Sequence, residues 1–307
     1  MRIKHYLYVP FTGLGLYQGF RGERWLRNRI KVFKQFVIPS LLNQTSKNFI
    51  LWISFRYEEK DNAQVRELQR YMETIKEFQT VFTFSGCCFW DDKYPDAIAN
   101  ERLITAVHGA MGELMNYGHE CDYVLMTIQP SDDTYHKGMV EEVQKIFREQ
   151  EDIQAVAYQK GYIMDYTDRR LAEWNPKTNP PFFTIKFPHP IFIDPYQHVK
   201  YTGPYKSHEY VGDALKLFPI YERGFTVGVH GENISTIFNH PFAGSQFIGD
   251  VRELILNKFG LDKVPPLKLN IGWRKKLMTK LPHGWQRKIR YWFGERFFNK
   301  VHNWLRS

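Results

Sequence analysis

Cys121-Asp-Tyr-Val-Leu-Met-Thr-Ile-Gln-Pro-Ser-Asp-Asp-Thr-Tyr135 opens polar, runs apolar for several residues, and stops at Pro130. Two adjacent carboxylates, Asp132 and Asp133, come directly after. The apolar run reads as a strand buried on both faces. A buried parallel strand that delivers acids at its carboxyl end is a common way for an open α/β sheet to hold a divalent metal and a diphosphate. Ser131-Asp132-Asp133 also suits the cap of a helix beginning near Tyr135. Taken alone, the stretch leaves both readings open.

The residues before it set the context. Ile3 to Pro10 reads as a first strand, followed by a glycine-rich loop from Gly13 to Gly22. Its spacing fits neither the dinucleotide fingerprint nor the P-loop. Trp25, Leu26, Ile30, Phe33, Val37 and Leu41 recur at helical spacing, with Pro39 expected to kink or end the helix. Asn48 to Phe55 and Thr80 to Ser85 read as further strands. Charged helices are expected up to Phe78, over Asp96 to Tyr117 and over Gly138 to Gln150. The first 150 residues thus alternate strand and helix, which calls for a mostly parallel sheet with helices on both faces. Right-handed crossovers put all the strand carboxyl ends along one edge. Pro10, Arg56, the 85–92 loop and Asp132/Asp133 share that edge, and the crevice there is the expected ligand site.

Beyond Asp152 the pattern becomes mixed α+β. Strands are expected over Ala155 to Met164 and Phe182 to Phe187, with a polar loop from Asp168 to Pro181 between them. A short helix capped by Ser207 and a last strand over Gly224 to Val229 complete this half. The organisation is read as 1–150, 151–260 and a basic tail, 261–307.

Charge is unevenly spread. The chain carries 42 Lys/Arg against 33 Asp/Glu, a net charge of +9. Eleven of those bases and one acid, Glu295, fall in residues 267–307, so the preceding body is nearly neutral. Basicity belongs to an appended segment rather than to the fold. The three cysteines, Cys87, Cys88 and Cys121, show no zinc spacing and are read as reduced thiols. Ile3 to Pro10 lacks the core and cleavage site of a signal peptide, and no stretch approaches the length of a membrane span. A cytoplasmic location is therefore expected.

Five segments taken in order carry a resemblance. They are Phe36-Val-Ile-Pro-Ser-Leu-Leu-Asn-Gln-Thr45 with Asn48-Phe-Ile-Leu-Trp-Ile53, Asn100-Glu-Arg102, Val124 to Asp133, Pro180 to Pro188, and His230-Gly-Glu-Asn-Ile-Ser235. Over residues 1–240 the chain resembles GT-A-type nucleotide-sugar glycosyltransferases, and more narrowly is similar to the bacterial rhamnosyltransferase-like family. The resemblance implies a GT-A-like, Rossmann-type sheet and an enzyme of cell-surface polysaccharide synthesis. Such an enzyme moves a sugar from a nucleotide-diphosphate donor to a glycan or lipid-linked acceptor, with inversion and with Mn²⁺ or Mg²⁺. One departure stands out: Pro130 occupies the place of the first Asp in the family's Asp-x-Asp-Asp. A carboxylate lost there weakens a site for hard cations, and leaves a GT-A-like protein without turnover as an alternative.

The resemblance implies Asp132, then Asp133, as metal ligands, with His230 as a third. Otherwise His230 is a satisfied buried histidine. Asp132 also belongs to the donor site with Pro10, Arg56, Asp91 beside the nucleoside base, and Arg102 on phosphate or ribose. Arg102 is equally well read as a solvated helix residue. The acceptor hydroxyl needs a general base. Glu209 is the first candidate and Asp213 the second, although acids at a helix start are also simply favoured by its dipole.

From Gly284 onward, Trp285, Ile289, Trp292, Phe293, Phe297, Val301 and Trp304 recur every three or four residues, with Arg287, Lys288, Arg296, Lys300 and Arg306 on the other side. This cationic amphipathic helix suits an anionic membrane surface, or else docks on the body. Nucleic acid is not the expected partner, because the neutral body offers no complementary groove. A nucleic-acid-binding protein led by its tail is the second alternative.

Overall fold

The computed structural model describes residues 1–12, 22–86, 96–114, 121–202, 208–231, 233 and 236–269, the side chains of 96–100 excepted. The glycine loop 13–21, Asp91, Ser207 and the expected tail helix lie outside the described residues.

Strand β1 (Ile3–Pro10) leads into helix α1 (Glu23–Val32). A π-helical segment, Phe33–Val37, then passes into α2 (Ile38–Leu42). Pro39 neither ends nor breaks this helix as expected. Proline lacks an N–H and collides with the carbonyl four residues back. Here the preceding turn is widened, with the Ile38 N–H bonded to Phe33 O, and the helix runs on. β2 (Ile50–Arg56), α3 (Ala63–Glu73), β3 (Gln79–Gly86), α4 (Asp96–Leu114) and β4 (Tyr123–Ile128) follow. β1 pairs in parallel with β2 and β4, and β2 with β3.

The period-2 pattern of β1 decides which layer each residue joins. Leu7 and Val9 pack with Leu26, Ile30, Val65 and Leu68 of α1 and α3. Tyr6 and Tyr8 face the other way, onto Val107, Ala110, Met111 and Leu114 of α4. This is the parallel, helix-flanked α/β sheet expected of the first half.

The helix expected over Gly138 to Gln150 forms, but too late in the chain for Ser131-Asp132-Asp133 to cap it. Thr134–Tyr135 is a short strand, β5, and α5 begins only at Met139 and runs to Glu149. Its N-cap is Gly138, which makes no side-chain cap. Asp132 and Asp133 are therefore not capping residues.

The second half adds β6 (Ala155–Asp165), β7 (Leu171–Trp174), β8 (Phe183–Pro188), α6 (His189–Ile193), α7 (Pro195–Tyr201), α8 (Val211–Ala214), β9 (Leu217–Val229), β10 (Ala243–Phe247) and α9 (Gly249–Lys258). The sheet order is β10-β7-β6-β8-β4-β1-β2-β3, with β9 beside β6 and β5 beside β9. β8 is antiparallel to both β4 and β6. The polar stretch expected as a loop over Asp168 to Pro181 contains β7, because Leu171 and Ala172 are buried between polar neighbours. β9 starts seven residues earlier than expected, its first half hidden by Pro219 and Glu222-Arg223. It is also not the last strand, since β10 follows. Residues 261–269 return to the body, where Leu261, Val264 and Leu267 bury against Val32, Phe36 and Tyr166. Among the described residues no helix is long and apolar enough to cross a membrane.

Candidate functional site

β4 ends at Ile128, and the chain re-enters the sheet six residues later as β5. The turn between them is tied from several sides. The Gln129 N–H donates to Tyr8 O (2.8 Å), extending the ladder with β1. The buried Gln129 side chain then donates to Pro130 O (2.9 Å) and Asp133 O (2.8 Å). Tyr166, stacked on Phe36 with centroids 3.7 Å apart, donates its hydroxyl to Asp132 O at 2.8 Å.

β9 closes on the same turn. A Cβ at Gly228 would lie 2.3 Å from Asp132 O and 2.4 Å from the Tyr166 ring, so only glycine allows this approach. The Gly228 N–H donates to Asp133 Oδ1 at 2.8 Å. Beyond β9, Asn233 takes the His230 N–H on its Oδ1 (2.7 Å) and donates to Gly228 O (2.6 Å), which holds the Asn233 side chain beside Asp132.

Three donors meet on Asp132 Oδ2. Arg29 Nη1 forms an ion pair with it, His230 Nε2 lies 3.0 Å away, and Asn233 Nδ2 lies 3.4 Å away. The Arg29 side chain is 2 % exposed and that of Asp132 14 %. The guanidinium also lies 5.3 Å from the centre of the Trp25 ring, a cation–π contact. Burial pushes the Asp132 carboxyl up, but the guanidinium and the His230 hydrogen bond outweigh it and hold the group down to about 2. Burial and the neighbouring Asp132 charge push Asp133 the opposite way, well above the usual carboxylate range. The two adjacent acids are thus pushed in opposite directions, Asp132 towards the ionised form and Asp133 towards the protonated one.

The structure brings Asp132, Asp133 and His230 together, but not as a donor set for a divalent cation. Asp132 Oδ2 is already paired with Arg29 and accepts from His230 and Asn233. His230 spends its Nε2 on that oxygen, and Asp133 Oδ1 takes a backbone amide. Hard cations need several oxygen donors, yet among the described residues no three His, Cys, Asp or Glu side chains converge on one point. Metal bound at Asp132 would also sit beside a buried guanidinium. As folded, these residues do not fit Mn²⁺ or Mg²⁺.

The other expected residues do not join this cluster. Pro10 pairs with Ser54 at the ends of β1 and β2. Arg56 Nε donates to Thr12 O at 3.2 Å, and its N–H donates to Glu59 at 3.1 Å, so Arg56 latches the two strand ends together. Arg102 is exposed on α4, six residues from the helix start, which places it about 9 Å below the edge at 1.5 Å per residue. Glu209 accepts from Thr178 Oγ1 at 3.0 Å, and His208 Nδ1 lies 2.6 Å from Asn179 O. Asp213 is exposed on α8. That helix packs through Val211 into the α4 layer, whereas the α1 bearing Arg29 packs through Leu26 and Ile30 into the other. Glu209 and Asp213 therefore lie on the side of the sheet opposite Arg29.

Arg29, Asn233, Gln129, Tyr166 and Gly228 were not singled out from sequence. Arg29 carried a readable signal, since it falls three residues after Leu26 and four before Phe33, inside the apolar stripe of its helix. A cation in that stripe needs a buried partner.

No protein-family model matches the chain, and no curated protein matches its sequence. Among solved structures it is similar to Staphylococcus aureus TarS residues 1–349, with a TM-score of 0.36 and 11 % identity, covering 93 % of this chain and 75 % of that one. A second crystal structure of S. aureus TarS gives the same score and identity, covering 92 % of this chain and 46 % of that one. Mouse xyloside xylosyltransferase 1 gives a TM-score of 0.29 and 8 % identity over 51 % of this chain and 53 % of that one. Likenesses this distant carry no argument, and the reading of the site rests on its geometry.

Proposed function

We propose that the chain is a glycosyltransferase that moves a sugar from a nucleotide-diphosphate donor to a hydroxyl of a glycan or lipid-linked acceptor. The observation that carries this reading is the buried Asp132–Arg29–His230 cluster at the carboxyl edge of a parallel sheet, where open α/β folds receive ligands. The sequence resemblance supplies the reaction class. In the reaction the acceptor oxygen bonds to the anomeric carbon as the bond from that carbon to the diphosphate breaks. The electron pair leaves with the nucleotide, and the acceptor proton passes to a carboxylate. Glu209 is assigned as that base, oriented by Thr178, with Asp213 second. A base on the face opposite the leaving group gives inversion in one displacement. A rhamnosyl-type sugar is the donor group favoured by the resemblance, and the basic segment after Gly284 would hold the enzyme on an anionic membrane surface.

Calorimetric titration of UDP, dTDP and GDP tests the donor site, and absence of binding by all three would sink the reading. Glu209→Gln is expected to lower transfer by about 10²-fold or more while leaving nucleotide affinity unchanged. Thr178→Ala should cost about ten- to a hundredfold, the worth of one hydrogen bond to a charged group. Pro130 and the internal pairing of Asp132 favour one second reading, a protein that binds the nucleotide or glycan without turnover. Nucleotide binding with no hydrolysis or transfer, across the same three nucleotide-sugar classes, would select it.

A further inference from the structure

Resting on the donor-site reading, we propose that Asp132 is a positioning residue for a built-in cation, Arg29, and that the donor diphosphate binds without a divalent metal. Three observations carry this. The guanidinium reaches Asp132 from α1 and is buried over Trp25, so it belongs to the packed interior and is not a surface charge passing by. The Asp132 main chain is fixed by the Tyr166 hydroxyl and by the close approach of Gly228, so the turn holds the carboxylate within reach of Arg29. The remaining candidate ligands are committed too, His230 to the same carboxylate and Asp133 to the Gly228 amide.

A carboxylate that answers a buried guanidinium has no net charge left to attract a second cation. Pro130 removes the other acid that the resemblance would place there. The ion pair thus accounts for the departure in the motif: with Arg29 inside, the first carboxylate has no cation to hold. What Asp132 does instead is fix the orientation of Arg29 and of the His230 N–H at the ligand edge.

The experiment is a pair of titrations on the full chain. UDP, dTDP and GDP are titrated in EDTA and again in excess Mn²⁺, and Mn²⁺ is titrated into the protein alone while the resonance of free Mn²⁺ is followed. Dissociation constants equal within about twofold, and no uptake of Mn²⁺ by the protein alone, are expected. A tightening of about tenfold by Mn²⁺, or Mn²⁺ uptake that Asp132→Asn abolishes, would overturn the proposal. Arg29→Met removes the built-in cation and should weaken binding of all three nucleotides in EDTA by about tenfold or more. A folded Arg29→Met chain that binds them as tightly as wild type counts against the assignment. If Arg29→Met does not fold, the wild-type titrations decide. If no nucleotide binds in either buffer, the donor reading fails, and Mn²⁺ uptake by the protein alone still decides the role of Asp132.

Discussion

Two histidines are buried to the same degree along the central strands, and they sit in opposite kinds of network. His5, on β1, is 2 % exposed and His230, beyond β9, is 1 % exposed. His5 receives a hydrogen bond on Nδ1 from Gln144 Nε2 (3.2 Å) and reaches Thr127 Oγ1 with Nε2 (2.7 Å). Thr127 continues to Thr184 at 2.6 Å, and Gln144 also donates to Asn48 O at 2.8 Å. Every member is neutral, and burial pushes the His5 imidazole down to about 3. His230 instead points at an ionised carboxylate that also holds a guanidinium. Burial of a histidine is therefore no signal of function by itself. The charged partner, and the position at the ligand edge, separate a site from a pinned core.

The charged network is the more fragile of the two. Asp132→Ala leaves Arg29 buried without a counter-ion, and a loss of about 3–5 kcal/mol in urea unfolding is expected, with transfer abolished. Arg29→Met should cost nearly as much. The double variant Arg29→Met/Asp132→Leu should lose clearly less than the sum of the singles, since no charge is then stranded. Singles that each cost under about 1 kcal/mol would show that the pair is not desolvated. A change at Gly228 probes the same cluster without touching a charge. Gly228→Ala forces a methyl group into Asp132 O and the Tyr166 ring, and about 1–3 kcal/mol of overpacking strain is expected. It should also weaken nucleotide binding, because the turn bearing Asp132 is displaced. Unchanged affinity would separate that turn from the donor site.

The same contrast explains what could be read in the chain beforehand. The alternation of strands and helices, with Leu7 and Val9 facing one layer and Tyr6 and Tyr8 the other, was legible because period 2 and period 3.6 are local properties of the sequence. The choice between a helix cap and a site at Asp132 was not. It turned on Thr134–Tyr135 pairing with Phe225–Thr226, ninety residues away. Asp132, Asp133 and His230, grouped from sequence as metal ligands, lie together, whereas their chemistry depends on Arg29, which lies a hundred residues earlier and joins them only through folding. β7 and β10 were hidden for a related reason. Short strands of four and five residues, with polar or small side chains, gain their place from the partner they pair with.

The neutral network offers the smallest and sharpest test, through pH. The folded-state value for His5, about 3, lies below the 6.5 of an unperturbed histidine. The unfolded chain therefore takes up a proton that the folded chain refuses, and the stability contributed by neutral His5 falls as pH drops from about 6.5 towards 3. Asp132 acts lower down. Its value, held near 2, contributes stability above 3.8 that is lost only as pH falls through that range. Other groups add to the total, among them one histidine and one carboxyl. His198 is buried and pushed down to about 4 with the same sign as His5, and Asp133 is pushed up with the opposite sign. The difference between wild type and His5→Gln cancels both, because neither touches Gln144 or Thr127. The variant should be the less stable at pH 7, and the gap should narrow by at most about 1.4 kcal/mol per pH unit below 6.5. A gap that stays constant from pH 7 to pH 4 would mean that His5 titrates in the fold as it does in the open chain. Its network would then not be the sealed, neutral counterpart of the Asp132 cluster.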